Sequence, residues 1–486
     1  MITLINTNRM EPVIAPIGLD YVAGAAEAAG LEVEVLDLAL ADNPHAALRR
    51  YFSDTRSDLV GLTVRNADDC FWPSAEWFVP AIAETVREVR GLTGAPIVLG
   101  GVGFSIFADR VMEATGADFG VRGDGEAAVP ALARELAAGR RFDRVPGLLW
   151  RPDGTADGEG DGGLRANPPA WPERLRLPTA RRWIDNAACF RRGGQGAVET
   201  KRGCPRQCLY CADPLAKGPA ARLRDPDEVA DEVEALAAQG VDVLHLADGE
   251  FNLPANHARA VCEALAARGL GNRVRWYAYL TVTPFDADLA RVMRRAGCAG
   301  IDFTGDSASA AMLAAYRHPH RRDDLVRAVR LCKENGIAVM VDLLLGGPGE
   351  TPETVRETID CLKAADPDCV GAALGVRVYP GTPMAAWLAR EGPPETNPGL
   401  RRRYDGPMDA FRPTFYIAPA LGERPAALVK DLVAGDARFF EPAEEVTGPD
   451  PTGYNYNDNT DLVEAVAAGA RGAYWHILHR LRTGEI

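Results

Sequence analysis

Cys204, Cys208 and Cys211 fall within eight residues of the stretch GCPRQCLYC, spaced C-x-x-x-C-x-x-C, in a chain with ten cysteines among 486 residues. Three thiolates on one tight loop suit three corners of a four-iron, four-sulfur cube and leave its fourth iron without a protein ligand. A structural zinc site would want a fourth ligand close by. The nearest histidine in sequence, His245, sits inside an apolar run, so zinc stands as the alternative to iron. Cys70, Cys189, Cys262, Cys298, Cys332, Cys361 and Cys369 are scattered and read as small buried hydrophobes. Further along, LADGEF places Asp248 and Glu250 at the end of an apolar run, where anionic acceptors could dock an ammonium.

The elements that must position these groups follow from the hydrophobic pattern. AVETKRG, just ahead of the cysteines, reads as a strand. Strands are predicted near 197–201, 242–247, 274–280, 299–304, 338–345 and 372–378, with helices such as DPDEVADEVEALAAQG between them. Six such units over residues 196–384 predict a partial (β/α)6 barrel with its chemistry at the carboxyl ends of the strands. Residues 1–138 also alternate: ITLIN, LEVEVLDL, DLVGLTV, APIVLGG and ADFGVRG are strands, and GLDYVAGAAEAAG and GEAAVPALARELAAG are helices. That pattern predicts an α/β, doubly wound parallel sheet whose ligand lies beyond the strand ends. Residues 139–195, with the acidic turn-rich RPDGTADGEGDGG, read as a hairpin and linker. Residues 385–486 are mixed and are expected to help build a substrate pocket, with 459–482 as one helix, alanine-rich and then aromatic.

The net charge of −14 leaves no basic surplus to neutralise phosphates, which argues against a nucleic-acid partner. The short arginine pieces Arg181–Arg182, Arg191–Arg192 and Arg401–Arg403 read as solvated surface. MITLINTNRM lacks the features of a signal peptide, and no apolar run reaches the roughly 18 residues of a membrane span. A cytoplasmic protein with no membrane partner is expected, its cysteines reduced.

The trio resembles the signature of the radical S-adenosylmethionine (SAM) enzymes, C-x-x-x-C-x-aromatic-C after the first barrel strand, with Tyr210 as the aromatic. Later segments resemble the family's SAM-binding elements in the right order. The resemblance implies that Asp248, Gly249 and Glu250 receive the SAM amino group, with either carboxylate as the acceptor. It implies that Thr304, Asp306 and Ser307 in DFTGDS contact the ribose and carboxylate. Leu345, Gly347 and Glu350 in VDLLLGGPGET fit its adenine-side element, and Val378 in VRVYPGTP can pack on the ring. It covers residues 196–384 and implies a [4Fe-4S] cluster, S-adenosyl-L-methionine and an external electron donor.

Residues 1–138 resemble the cobalamin-binding domains that precede such barrels. The candidate contacts are Asn6, Thr7 and Asn8; Thr63, Val64, Arg65 and Asn66; Gly100, Gly101 and Gly103; and Gly123, Asp124, Gly125 and Glu126. VRGDGE resembles the V-R-G-E-G-E piece common in these domains. The first loop, NTNRMEPVIAPIG, has no histidine, so it offers no lower imidazole ligand to cobalt. Arg65 is placed beneath cobalt instead, where a cation disfavours a sixth ligand. That pattern resembles the tryptophan 2-C-methyltransferase subgroup.

Together these resemblances imply a cobalamin-dependent radical SAM methyltransferase that passes a methyl group from SAM, through methylcobalamin, to a carbon of a small-molecule or amino-acid-like substrate such as tryptophan. Radical and polar transfer both stay open, as does ligation of the open iron by Glu250 or Asp248. The rivals are a cobalamin-dependent radical SAM cyclase or rearrangement enzyme, and an iron–sulfur redox or regulatory protein. Tyr416, Tyr474 and Trp475 could stack on an aromatic substrate or pack in the core.

Overall fold

The computed structural model describes residues 1–152, 163–444 and 455–486. The first sheet has seven strands: β1 (Ile2–Asn6), β2 (Val33–Asp37), β3 (Leu59–Thr63), β4 (Ile97–Gly100), β5 (Phe119–Val121), β6 (Leu148–Trp150) and β7 (Arg165–Ala166). Their spatial order is β2-β1-β3-β4-β5-β6-β7, parallel through β5 and antiparallel beyond it. Successive residues of a strand face opposite sides. Ile5, Val60 and Leu99 feed the apolar layer on one face, while Leu4, Leu59 and Val98 feed the other. The hairpin expected after residue 138 is β6 and β7, and it extends this sheet. Most of its acidic turn lies outside the described residues.

The second sheet is parallel throughout: β8 (Gly196–Val198), β9 (Val243–Leu246), β10 (Arg275–Thr281), β11 (Cys298–Asp306), β12 (Ala338–Leu345), β13 (Cys369–Leu374) and β14 (Phe439–Phe440) stand side by side in chain order. The last strand is a seventh, contributed by the region beyond residue 385. The sixth strand begins three residues earlier than expected, at Cys369. Helices fall where caps predict: Asp225 caps Pro226–Ala238, and Thr351 opens a capping box on Pro352–Ala365.

Three expectations are corrected. Cys70, read as a small buried hydrophobe, is exposed. The tail is two helices, Thr460–Ala467 and Tyr474–Thr483, because Gly469 and Gly472 between them take φ values of +107° and +150° that no helix allows. Arg181 is not solvated surface: it is 1% exposed. It donates to Asp20 of helix Ile17–Ala28 at 2.5 Å, to Glu232 of helix Pro226–Ala238 at 2.8 Å and to Asn186 at 3.1 Å. Arg224 also pairs with Glu232, and Tyr21 donates to it at 2.7 Å. One buried network therefore ties the first sheet's helix layer, the linker and the barrel together.

Removing one partner from such a network leaves a buried charge uncompensated. Arg181→Met is expected to cost about 3–5 kcal/mol in chemical denaturation, whereas Arg182→Met, at a site whose side chain is 61% exposed, should change little.

Candidate active site

The cysteine loop is anchored from the neighbouring strand. Asp248, at the end of β9, accepts from the Thr200 amide at 2.8 Å, the Thr200 hydroxyl at 2.6 Å and the Lys201 amide at 3.2 Å. Both of its oxygens are engaged in holding the chain that leads into Cys204. Glu250, two residues on, differs: Oε1 accepts from the Thr304 hydroxyl at 2.7 Å, while Oε2 is buried without a partner. Burial pushes its carboxyl up to about 7, with Thr304 and Lys201 opposing the shift. Of these two carboxylates, Glu250 is the one that keeps a buried oxygen without a partner.

Burial raises all three thiols. Cys208 is pushed up to about 12, with Asp306, Cys204 and Glu250 adding to the rise. Cys204 acts electrostatically on Cys208 and Cys211, and Cys208 on Cys211, so the trio is gathered, and thiolates form here only against a compensating metal charge. Among the described residues no three His, Cys, Asp or Glu side chains surround one point as a single ion would need. A four-iron cube takes its thiolates at separate corners and needs no such convergence. The gathered thiols and the orphaned Glu250 oxygen fit a cluster with one open corner.

The other barrel candidates divide. Asp306, at φ +55°, accepts from Tyr210 and bonds the His318 ring. Ser307 instead bonds the Thr358 hydroxyl at 2.8 Å and accepts from the Ser309 amide, which places it in the packing beneath the site. Gly347 is required by contact, since a Cβ would stand 2.2 Å from the Tyr316 hydroxyl. Glu350 accepts from the Gly346 amide at 2.7 Å and holds that turn. Leu345 and Val378 are buried, as is Gly249's neighbour Phe251. A Cβ at Gly249 would press on Asp213 at 2.9 Å.

The first sheet presents its strand ends to a cavity of about 770 Å³ that continues into the barrel. Ligand cavities span about 300–1,000 Å³. Asn6, Thr63, Arg65, Asn66, Gly100 and Gly101 line it, as do Gly123, Asp124, Gly125 and Glu126. Thr7, Asn8, Val64 and Gly103 do not. Thr7 donates to the Thr63 carbonyl, and Gly103 lets its helix approach the Asn66–Ala67 backbone, where a Cβ would meet Asn66 at 2.7 Å. Asp124 and Glu126 are also not free to serve a ligand alone. Arg202 pairs with Asp124 at 3.0 Å and Glu126 at 2.9 Å, and Arg222 pairs with Asp124. Arg65 is half-buried; desolvation lowers its pKa, with Tyr474 and Tyr279 acting against that. An apolar part of the first loop, Val13 to Ile17, also lines the cavity. Its unbroken apolar character is the sequence signal for that role. On the barrel side stand His245, Tyr279 and Asp302, with Tyr456, Tyr474 and Trp475 from the C-terminal region. Tyr416 packs on Trp387 elsewhere.

Residues 198–362 match the Radical SAM superfamily, and residues 4–133 match the B12 binding domain. A tryptophan 2-C-methyltransferase of Streptomyces laurentii is 32% identical over 98% of this chain and 95% of its own length. This chain belongs to the cobalamin-dependent radical SAM methyltransferases. The radical SAM methyltransferase TsrM from Kitasatospora setae, solved with tryptophan substrate and a SAM analogue bound, is similar over 100% of this chain and 98% of that one, at 33% identity and a TM-score of 0.91. Its structure with cobalamin and a [4Fe-4S] cluster bound gives 31% identity and a TM-score of 0.89 over 99% and 97% of the two chains. Among the described residues of this methyltransferase, no helix is long and apolar enough to cross a membrane.

Two measurements test the site. Asp248→Ala strips the acceptor from three buried donors, at about 1–3 kcal/mol each. Iron and sulfide per chain should fall although every cysteine remains, while a distant control such as Arg327→Ala should load fully. Burial raises Glu350 from 4.5 to about 7. The folded chain therefore holds that proton across an interval in which the unfolded chain loses it, and stability falls as pH rises from 4.5 to 7. Glu350→Gln should flatten part of that slope in thermal unfolding of the chain without cofactors.

Proposed function

We propose that this methyltransferase transfers the methyl group of SAM to a carbon of tryptophan, or of a substrate sharing its aromatic ring and amino-acid portion. The observation that carries the reading is the single cavity joining the strand ends of the first sheet to a barrel interior rich in aromatic side chains. Relatives alike over nearly the whole chain support it, one named for tryptophan 2-C-methylation and one solved with tryptophan bound.

Cys204, Cys208 and Cys211 would hold the [4Fe-4S] cluster, and the strand-end loops with Arg65 would face cobalamin. Bound there, cobalamin supplies a methyl carrier, the cluster an anchor and an electron site, and SAM the methyl group. Glu250 would offer its free oxygen to the SAM amino group or to the open corner of the cluster. Tyr210 and His318 hold Asp306 in place for the ribose side. Arg65 would keep a positive charge against the corrin face where the first loop brings no imidazole. Tyr279, Tyr474 and Trp475 exclude water and offer ring faces to a flat substrate. An external electron donor would keep the bound groups reduced, and nucleic acid has no place in this acidic chain.

Holoenzyme assembled anaerobically and given tryptophan with methyl-labelled SAM should yield a product heavier by one labelled methyl group, bonded to carbon. A rearranged or cyclised product without the label would favour the rival chemistry. Glu250→Gln, with iron content intact, should weaken SAM binding roughly ten- to hundredfold; unchanged binding together with an altered cluster spectrum would assign Glu250 to iron.

A further inference from the structure

Deep in the barrel, below the cysteine loop, two carboxylates have no part in the roles above. Asp302 on β11 and Asp342 on β12 share a side-chain hydrogen bond. Their strands pair in parallel with Thr304 opposite Asp342, so Asp302 lies one inward-facing position below it. Two carboxylates can share a hydrogen bond only when at least one carries a proton, and with that one proton the pair keeps one negative charge. Burial first, and Asp342 next, raise the Asp302 carboxyl well above its ordinary range.

Asp302 is 4% exposed and lines the cavity, and its Oδ1 is buried with no partner. An unpaired carboxylate oxygen in an apolar enclosure costs more than a neutral one and calls for a donor. Rings line the same cavity: His245 meets Tyr279 edge-on at 5.0 Å, and Tyr456 meets Tyr474 at 5.9 Å. Tyr279 and Tyr456 both feel the two carboxylates electrostatically. Arg65, a cation lining the same cavity, acts on Tyr279 and Tyr474. One negative charge, one free acceptor and several ring faces suit an ammonium. It would neutralise the pair and gain from the rings, whereas a neutral ring N–H would leave the charge standing.

We propose that Asp302, oriented by Asp342, is the specificity-determining residue that receives the α-ammonium of an amino-acid substrate. The proposal rests on the reading of the substrate as tryptophan or an amino acid like it. Asp342 is a positioning residue: it holds one oxygen of Asp302 and so aims the other into the cavity.

The test uses holoenzyme with cluster, cobalamin and a SAM analogue, and compares binding of tryptophan, tryptamine and indole-3-propionate to the wild type, Asp302→Asn and Asp302→Glu. The wild type should bind the two amines at least tenfold tighter than indole-3-propionate. Asp302→Asn, which keeps the shape and hydrogen-bonding capacity but loses the charge, should weaken both amines about ten- to hundredfold and leave indole-3-propionate unchanged or tighter. Asp302→Glu should recover part of the amine preference. In turnover, the Asn variant should raise the KM for tryptophan far more than it lowers kcat. Equal losses for all three ligands would mark a structural role and overturn the proposal, as would an unchanged amine preference. A wild type that loads its cofactors but binds none of the three ligands would overturn the tryptophan reading itself, and with it this proposal. Iron, cobalamin and SAM contents equal to wild type show that each variant is folded.

Discussion

The meeting of Arg202 and Arg222 with Asp124 and Glu126 is the contact on which the site depends. Arg202 lies two residues before Cys204, and the two carboxylates close the last parallel strand end of the first sheet. Both partners are about nine-tenths buried, so their charges are poorly screened and strongly directional. Each sheet brings its chemistry to the carboxyl ends of its strands, and those two faces become one chamber only when they are pressed together. Arg181 does the same work at the far side, through Asp20 and Glu232. A further buried pair, Arg377 with Asp68 at 2.7 Å, closes a third point between the sheets.

The price of that arrangement is a set of charges held away from water. Asp248, Asp124 and Glu126 are matched by donors. Glu250 and Asp302 each keep one buried oxygen unmatched, and Asp302 lines the cavity. Native proteins leave few buried polar atoms unpaired, so such atoms mark places where the fold is complete only with something bound.

Much of this could be seen in the residues alone. The cysteine spacing named the cluster, and period-two and helical patterns placed both sheets, because strand ends rich in glycine and short polar residues stand out against apolar runs. What a linear reading missed was partnership. Asp248 and Glu250 look equivalent two residues apart, yet one is spent on the backbone at Thr200 and Lys201. Asp124 and Glu126 read as ligand contacts, and they line the cavity, but arginines distant in sequence also hold them. Arg181 sits in a polar, proline-bearing stretch and looked solvated, since nothing local reveals Asp20 and Glu232. Gly469 and Gly472 should have broken the tail helix, but the alanine run around them masked it. The seventh strand is two residues long, too short for any period to show.

Asp248 has a further consequence. It fixes the chain ahead of Cys204 through amide and hydroxyl donors of the polypeptide itself. The ordering entropy of that segment is therefore met as the polypeptide folds and is not subtracted when iron and sulfide arrive. The cysteine loop is in this sense a mould made before its casting, and a late-arriving cofactor finds a shape already waiting for it.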